Sequence, residues 1–306
     1  MKLLSQLNYV DVVAKKGSIR KAAQVLNITS TALNRRILAL EDELGAPIFE
    51  RLPNGVRLNA AGELLILHIR QSMSDLNRVT SQIADLSGIR KGHITLASGS
   101  EVAGRFLPAQ MARYCQNFPD VSFDIYRRDT EAILQMVTNF TSDIGVVFGP
   151  IPANQFQLVL SLNIPVMAVM RSTHPLADKP QISLQDLADY QMILPAEGSG
   201  LRDVVQAKLR SYDMHPKRIM TSESFEFMAQ YCHYHDAVTF MPSLDFIEEE
   251  GAKGDLVNRA LAGREYMEGR LHIIHAKNRV LSVAAAKFIE ELRQHLITQM
   301  PDHILQ

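Results

Sequence analysis

The sequence predicts an α/β protein in which a small helical domain and a long helix precede a larger α/β body. Three observations predict this organisation. Apolar residues repeat at helical spacing through the first 45 residues, and an apolar stripe in alternating steps of four and three follows from residue 65 to residue 86. Beyond residue 91, short apolar runs alternate with helical segments. A chain of 306 residues is long enough for about two domains.

The first 58 residues contain three helical segments. Gly17 ends the first helix, and Ser18 is a suitable N-cap for a short second helix that ends near residue 26. The third helix begins at a cap on Thr29 or Ser30. Its apolar stripe is expected to face the core and consists of Leu33, Ile37, Leu40 and Leu44. A tight turn before a third helix is the helix-turn-helix arrangement.

A hairpin is predicted directly after the third helix. Residues 46–59 alternate weakly in hydrophobicity, and Asn54-Gly55 is the strongest short signal for a type I′ turn. A hairpin in this position is a wing. Residues 1–58 are therefore predicted to form a winged helix-turn-helix domain.

Charge in this domain points to nucleic acid as a partner. Residues 1–58 carry nine Lys and Arg against five Asp and Glu, whereas the remainder of the chain is acidic. Each arginine alone is more simply a solvated surface charge, but several of them surround one helix. The predicted DNA-contacting residues are Ser18, Arg20, Thr29, Ser30, Thr31, Asn34, Arg35, Arg36, Arg51 and Arg57.

A single long helix is predicted between residue 59, where Asn59 is a plausible cap, and residue 86. Its stripe in steps of four and three has one polar member, Ser72, and is typical of a coiled-coil seam. The alternative is a helix that packs on its own domain. The predicted dimerisation residues are Leu65, Ile69, Leu76, Val79, Ile83 and Leu86. We assign residues 59–90 to this linker, with a hinge at 87–92.

Several other classes of protein are disfavoured by the sequence. Cys115 and Cys232 lie far apart and are expected to be packed thiols, with neither a disulfide framework nor a zinc finger. No N-terminal apolar run resembles a signal peptide, and the most apolar segment, at 64–69, is too short to cross a bilayer. We therefore expect a soluble cytoplasmic protein with no membrane partner. No metal site, cofactor motif or catalytic nucleophile is apparent.

The stretch "GSIRKAAQVLNITSTALNRRILALEDELGAPIFERLPNGVRLNAAGELL" resembles the N-terminal signature of LysR-type transcriptional regulators, in register and without gaps. Four positions depart from the usual pattern. Ser30 replaces a glutamine, Thr31 a proline, Asn34 a serine and Asn59 a threonine. Asn34 introduces an amide that is capable of bidentate contact with adenine. The resemblance implies how the domain docks on double-stranded DNA but leaves the operator sequence open.

The larger body, residues 91–306, resembles the effector domain of the same family. The segments "FLPAQMARYCQNFPDV", "SDIGVV" and "THPLADKPQISLQDL" carry this likeness. It implies two periplasmic-binding-protein-like lobes, with lobe I at about 91–163 and 268–306 and lobe II at about 164–267. The order of strands and helices predicts mainly parallel sheets. In such sheets a ligand binds beyond the carboxyl ends of the strands, close to helix N-termini.

A small-molecule effector is implied for the cleft between these lobes. The residues expected to bind it are Ser98, Gly99, Ser100, Thr130, Phe148, Glu197, Ser199 and Arg202. Each hydroxyl among them is equally well explained as a helix cap. Arg202 favours a carboxylate and Glu197 favours a cation, so the expected effector is a small organic acid or amino acid. His233, Tyr234 and His235 either narrow the cleft or lie on the surface.

These observations favour a sequence-specific, DNA-binding transcriptional regulator that senses a small molecule, is not an enzyme and needs no cofactor. Its expected assembly is a homodimer, because paired winged domains reach two half-sites about one turn of DNA apart. The resemblance also implies a homotetramer. Two other classes stay open from the sequence: a solute-binding protein and an α/β enzyme, neither of which would bind DNA.

Overall fold

The computed structural model describes residues 2–86, 91–152, 154–216, 219–246, 255–277 and 279–303. The chain divides into two compact units, Met1–Gln82 and Ile83–Gln306. The first unit thus includes most of the predicted linker helix. Of the predicted hinge at 87–92, residues 87–90 lie outside the described part of the chain. The division into three domains stays a prediction.

The first unit is a three-helix core with a two-stranded wing and the start of a long helix. Its elements are α1 (Lys2–Lys16), α2 (Ile19–Val25), α3 (Ser30–Leu44), β1 (Phe49–Leu52), β2 (Gly55–Leu58) and α4 (Ala60–Leu86). The predicted caps are confirmed: the Ser18 hydroxyl accepts from the Lys21 amide, and the Thr29 hydroxyl accepts from the Ala32 amide over 3.2 Å. Asn59 caps α4 through the Gly62 amide.

Three of the four stripe residues on α3 lie in the core of the first unit. Leu33, Ile37 and Leu40 are buried together with residues of α1, α2 and α4. The prediction for Leu44 is wrong, because its side chain is 47% exposed. Leu44 is the last residue of α3, and Gly45, in the left-handed conformation, turns the chain away at that point.

The predicted wing is present, but the predicted turn type is wrong. Leu52 pairs with Gly55, so Pro53 and Asn54 are the two central residues of the turn. A type I′ turn needs a positive φ at both central positions, whereas the proline ring holds φ near −65°. Gly55 is required for a different reason. A Cβ at this position would lie 2.2 Å from the Gly17 carbonyl oxygen, which accepts the Val56 amide and joins the wing to the end of α1.

The predicted dimerisation stripe of α4 has two different environments. Ile69 is fully buried and Leu65 partly buried in the core of the first unit, so for these two residues the prediction of a free seam is wrong. The first turns of α4 have to cover the three-helix core, and the alternative of a helix packed on its own domain applies to them. Leu76, Val79 and Ile83 are 38%, 40% and 59% exposed. The side chain of Leu86 lies outside the described residues.

The second unit is built on one mixed sheet of ten strands. Its strands are β3 (Gly92–Ser98), β4 (Val121–Arg127), β5 (Ile144–Phe148), β6 (Phe156–Arg171), β7 (Gln181–Ile182), β8 (Gln191–Pro195), β9 (Ile219–Ser222), β10 (Ala237–Pro242), β11 (Leu256–Leu261) and β12 (Met267–Ala276). Its helices are α5 (Ser100–Ala103), α6 (Phe106–Asn117), α7 (Thr130–Thr138), α8 (Leu184–Leu187), α9 (Gly200–Ser211), α10 (Phe225–Tyr234) and α11 (Val283–Gln299). The apolar runs of the sequence at 93–97, 121–126, 143–148, 165–170, 191–194, 237–241 and 271–275 all coincide with these strands.

Two long strands join the halves of this unit. β6 and β12 pair antiparallel from Phe156↔Ala276 to Val166↔Met267, and the predicted lobe boundaries fall within this pair. On one side β3 pairs parallel with β4 and β5, and on the other β8 pairs parallel with β9 and β10. The expectation of mainly parallel sheets therefore holds inside each half and fails at the connecting strands, which pair antiparallel with their neighbours. Within the described ranges, no helix combines the length and apolar character that a bilayer crossing requires.

Candidate nucleic-acid interface and ligand cleft

The third helix presents a polar face beside the wing. Ser30, Thr31 and Arg35 are exposed on α3, and Asn34 is half-buried beside them. Arg51 on β1 donates from Nη2 to Oδ1 of Asn34 at 2.9 Å, which ties the wing to the polar face of α3. Thr29 caps α3 by accepting the Ala32 amide, which stabilises the first turn of this helix. The arrangement suits contact with the edges of bases.

The other predicted DNA-contacting residues occupy different environments. Arg57 donates from Nε to Glu50 across the wing at 2.8 Å, with both side chains exposed. Arg36 turns toward α1 instead, because its guanidinium lies over the Tyr9 ring, 4.8 Å from the centroid, and bonds the Tyr9 hydroxyl. Arg20 is exposed in the first turn of α2, two residues after the cap residue Ser18.

A cavity of about 320 Å³ lies in the second unit, where four strand-to-helix turns meet. These turns follow β3, β4, β8 and β9, two from each half of the sheet. Such a position, beyond the carboxyl ends of parallel strands, is the one expected for a ligand. The cavity is lined by Gly99, Ser100, Glu101, Arg127, Arg128, Asp129, Thr130, Pro195, Ala196, Glu197, Gly198, Ser199, Ser222, Glu223 and Phe225.

Five of the eight predicted effector-binding residues line this cavity: Gly99, Ser100, Thr130, Glu197 and Ser199. The prediction is wrong for the other three, Ser98, Phe148 and Arg202. Ser98 is fully buried at the end of β3. The Phe148 ring faces Gly269 so closely that a Cβ there would lie 2.2 Å from the ring. The Arg202 guanidinium turns back to donate to the Pro195 carbonyl oxygen at 3.2 Å.

The charged residues of the cavity were largely missed by the sequence reasoning. Arg127 ends β4, Arg128 follows it, and both line the cavity. Asp129 caps α7 by accepting the Ala132 amide at 2.8 Å. The sequence signal was the run "RRDT" after a predicted strand, directly before the cap. The lining contains two arginines and four carboxylates, of Glu101, Asp129, Glu197 and Glu223. The cavity therefore combines both charges, with an acidic excess.

Hydrogen bonds join the two halves across the cavity wall. The Thr130 amide donates to the Gly198 carbonyl at 3.4 Å. Glu101 Oε1 accepts the Ser199 hydroxyl at 2.5 Å and the Leu201 amide at 3.5 Å. Gly200 makes the closest approach, because a Cβ at this position would lie 1.6 Å from the Phe148 carbonyl oxygen. A ligand in the cavity would touch both halves at a place where they already meet.

Comparison with known proteins decides which family this architecture belongs to. The LysR substrate binding domain matches residues 87–297, and the bacterial regulatory helix-turn-helix domain of the lysR family matches residues 4–63. The chain belongs to the LysR family. It is a DNA-binding transcriptional regulator with an effector-binding domain, and regulators of this family are not enzymes. The readings as a solute-binding protein or an α/β enzyme are thereby excluded.

Relatives of this LysR-type regulator are distant in sequence. It is 29% identical to the uncharacterized HTH-type regulator YbhD of Escherichia coli over 67% of this chain and 65% of that protein. It is 26% identical to the transcriptional activator CmpR of Synechocystis over 95% of each chain. A RuBisCO operon transcriptional regulator of Acidithiobacillus ferrooxidans is 26% identical, over 94% of this chain and 93% of that protein.

Solved structures share the fold of the LysR-type chain over nearly its whole length. A full-length OxyR variant from Pseudomonas aeruginosa superposes with a TM-score of 0.75 at 18% identity, covering 99% of this chain and 98% of that one. CbnR complexed with its target DNA has a TM-score of 0.63 at 19% identity, covering 95% and 99%. At these identities the likeness concerns the fold alone.

The histidines and cysteines of this regulator lie apart from the cavity. His235 stacks on Tyr231, and His233 lies 3.5 Å from Asp255, so the interpretation of residues 233–235 as the cavity mouth is wrong. Among the residues that the structure describes, no three His, Cys, Asp or Glu side chains are grouped to hold a metal. Cys232 is buried, and burial raises its pKa to about 12, which keeps the thiol protonated and unreactive.

Proposed function

We propose that this regulator senses an amino acid, or a metabolite with the same pair of charged groups, in the cavity of its second unit. The sequence favoured a small organic acid or amino acid. The charge of the cavity lining favours the amino acid over the organic acid, because the lining contains two arginines and four carboxylates. A simple organic acid has no cationic group to pair with the carboxylates of the lining. A zwitterion can pair its carboxylate with an arginine and its ammonium group with a carboxylate.

The size and position of the cavity support this proposal. Its volume of about 320 Å³ is at the lower end of the usual range for small-molecule sites, which is roughly 300–1,000 Å³. Both halves of the sheet contribute to its wall, and β6 and β12 connect them. A ligand that binds one arrangement of the halves more tightly shifts the population toward it. We propose that this shift alters operator binding.

Operator binding is assigned to the exposed polar face of α3 and to the wing. Thr31, Asn34 and Arg35 are proposed to contact bases. Phosphate contacts are proposed for residues around them: Ser18, Arg20, Thr29, Ser30, Arg51 and Arg57. Arg36 is left out because it packs on Tyr9.

A homodimer is proposed to hold two winged domains. The exposed apolar residues Leu76, Val79 and Ile83 of α4 support a seam shorter than the sequence indicated. Pairing two winged domains matches half-sites about 34–36 Å apart. Association of two such dimers into a homotetramer is supported by the family resemblance.

Isothermal titration calorimetry tests the effector class directly. Each amino acid is compared with the carboxylic acid of the same skeleton that lacks the amino group. We expect at least one amino acid to bind at least tenfold more tightly than its partner acid and to change the gel shift on the promoter adjoining the gene. Binding of the simple acids with equal or greater affinity would overturn the amino-acid assignment. Absence of a shift on every duplex would overturn the proposed DNA contacts.

Arg128→Ala is the variant that tests the cavity itself. Arg128 lines the cavity, where its guanidinium donates to the Arg127 carbonyl and lies over the Tyr126 ring, whereas Arg202 is not among the lining residues. We expect Arg128→Ala to weaken amino-acid binding at least tenfold. Arg210→Ala removes an exposed cation from the last turn of α9, outside the cavity, and serves as the control. Equal affinities for all three proteins would place the effector elsewhere.

A further inference from the structure

Glu101 is a buried carboxylate that bridges the two halves of the second unit. Its residue is only 3% exposed, although it belongs to the wall of the cavity. Oε1 accepts from the Ser199 hydroxyl at 2.5 Å and from the Leu201 amide at 3.5 Å. Glu101 lies in α5, after the first strand of one half, and both donors lie at the start of α9 in the other. A buried carboxylate is stable only with such donors.

The backbone at Gly99 makes room for this carboxylate. A Cβ at position 99 would lie 2.0 Å from Oε2 of Glu101 and 3.1 Å from its carboxyl carbon. Any side chain at 99 would therefore displace the carboxylate from its position. Gly99 has an ordinary φ of −69°, so the backbone conformation itself does not require glycine. Space for the Glu101 carboxylate is the requirement that the structure shows.

We propose that Glu101 determines effector specificity by occupying, with its own carboxylate, the place at the start of α9 where an effector carboxylate would otherwise bind. The amides at the start of this twelve-residue helix favour an anion, and the protein supplies that anion itself. The ammonium group of the effector therefore binds beside the Glu101 carboxylate, and its carboxylate binds Arg127 and Arg128. The assignment of the ammonium and carboxylate groups of the effector rests on the proposed function. The occupation of the start of α9 by the Glu101 carboxylate does not depend on that function.

The position of Oε2, beside the cavity-lining residue Gly99, supports this assignment. Among the described residues, Oε1 receives both hydrogen bonds and Oε2 receives none. Oε2 therefore keeps its capacity to accept from a ligand in the cavity. Oε2 of Glu101 can accept from the ammonium group of a zwitterion, and Arg127 and Arg128 can bind its carboxylate.

Chemical rescue with acetate tests whether the start of α9 is an anion site. Glu101→Ala removes the carboxylate and leaves the Ser199 hydroxyl and the Leu201 amide without it. We expect a lower Tm for this variant, and a saturable rise of about 2 °C or more on addition of sodium acetate. Sodium chloride at equal ionic strength should give no such rise. Wild type should not distinguish acetate from chloride, because its site is filled.

Two further variants serve as matched controls for the rescue. Glu101→Gln fills the same space and should show no acetate-specific rise. Glu101→Ala combined with Ser199→Ala lacks the hydroxyl donor and should lose most of the rescue. If acetate and chloride act equally on Glu101→Ala, or if acetate stabilises wild type to the same extent, the proposal is wrong. Glu101→Ser, with a small polar side chain, is used for the same measurement if the alanine variant does not fold.

Gly99→Ala gives an independent measurement without any added ligand. In wild type the new methyl group displaces the Glu101 carboxylate, so the Tm should fall by several degrees. In the Glu101→Ala background the same substitution meets no carboxylate, and its effect on Tm should be less than half as large. Equal effects in the two backgrounds would contradict the proposal. Rescue by acetate together with absent amino-acid binding would leave the occupied anion site intact and refute only the proposed effector.

Discussion

Arg51 on the wing donates a hydrogen bond to Oδ1 of Asn34 on the third helix, over 2.9 Å. This bond uses the amide oxygen that a bidentate contact with adenine also requires. Because an amide oxygen has two lone pairs, Oδ1 of Asn34 can accept from Arg51 and from an adenine amino group at the same time. We expect this bond to connect the proposed base contact of Asn34 with the proposed phosphate contact of Arg51 within one winged domain.

Asn34→Ala is expected to reduce discrimination between operator and unrelated DNA by about 1–3 kcal/mol, because one bidentate base contact is lost. Binding to unrelated duplex should change little, since Asn34 carries no charge. Competition gel shifts with operator and scrambled duplex measure both quantities. A uniform loss on both duplexes would show that Asn34 contributes to docking and not to sequence recognition.

Arg57→Ala is expected to weaken binding to operator and unrelated DNA equally, with the slope of log K against log salt reduced by about 1. Arg57 is paired with Glu50 at 2.8 Å, but exposed pairs of this kind contribute little and exchange readily for phosphate. Fluorescence anisotropy over a series of salt concentrations checks the slope. Glu50→Gln is the matched control and should tighten binding slightly. An unchanged slope for Arg57→Ala would remove Arg57 from the interface.

The winged domain was predictable because its determinants are local. The caps at Ser18, Thr29 and Asn59 and the presence of a hairpin follow from residues close in sequence, although the turn is centred one residue earlier than Asn54-Gly55. The errors arose where a distant part of the chain decides the outcome. The stripe on α4 shows which residues are apolar, but Ile69 is buried because the start of α4 packs on the core formed by α1, α2 and α3. The spacing of apolar residues along α4 does not show whether they pack on their own domain or on the helix of a second chain.

The location of the cavity was predictable, and the direction of its side chains was not. Four strand-to-helix turns meet where the topology of parallel sheets requires. Arg202 follows one of these turns, but its guanidinium bonds Pro195. Arg127 and Arg128 follow a predicted strand, but the sequence does not show that their side chains line the cavity. The side-chain rotamers, and the packing of the two halves of the second unit against each other, determine which side chains line the cavity.

Val79→Glu is expected to raise the dimer dissociation constant at least about tenfold, because association would bury an unpaired carboxylate in the seam. Val79 is 40% exposed in the single chain, so the fold should tolerate the change. Asn77→Glu, exposed on the opposite side of α4, is the control with the same added charge. Sedimentation velocity over a range of concentrations gives both constants. Equal constants for the two variants would place the interface elsewhere.

Arg70→Ala is expected to destabilise the winged unit by about 3–5 kcal/mol, because it leaves the Asp11 carboxylate buried without its main partner. Arg70 lies 2.7 Å from Asp11, and both side chains are largely buried, which fastens α4 to α1. Lys15 also contacts Asp11 at 2.7 Å, but its side chain is 53% exposed. Lys15→Ala should therefore lower the free energy of unfolding by no more than about 1 kcal/mol. Urea unfolding followed by circular dichroism compares the two variants, and similar losses would contradict this account.

The second unit is expected to lose stability as the pH falls below about 6.5. Burial lowers the pKa of His272, and the neighbouring Arg270 lowers this pKa further; burial also lowers the pKa of His174 and of His275. The unfolded chain then binds protons at a higher pH than the folded chain does. The free energy of unfolding is highest above the unfolded pKa and decreases until the folded pKa is passed.

His272→Leu tests the origin of this pH dependence. The Nδ1 atom of His272 is buried and has no hydrogen-bond partner among the described residues, so an apolar replacement of similar size should be tolerated. Scanning calorimetry from pH 5 to pH 8 should show a shallower fall in Tm for this variant than for wild type. His215→Gln, at a side chain that is 85% exposed, should keep the wild-type profile. A His272→Leu profile parallel to wild type would mean that other groups carry the pH dependence.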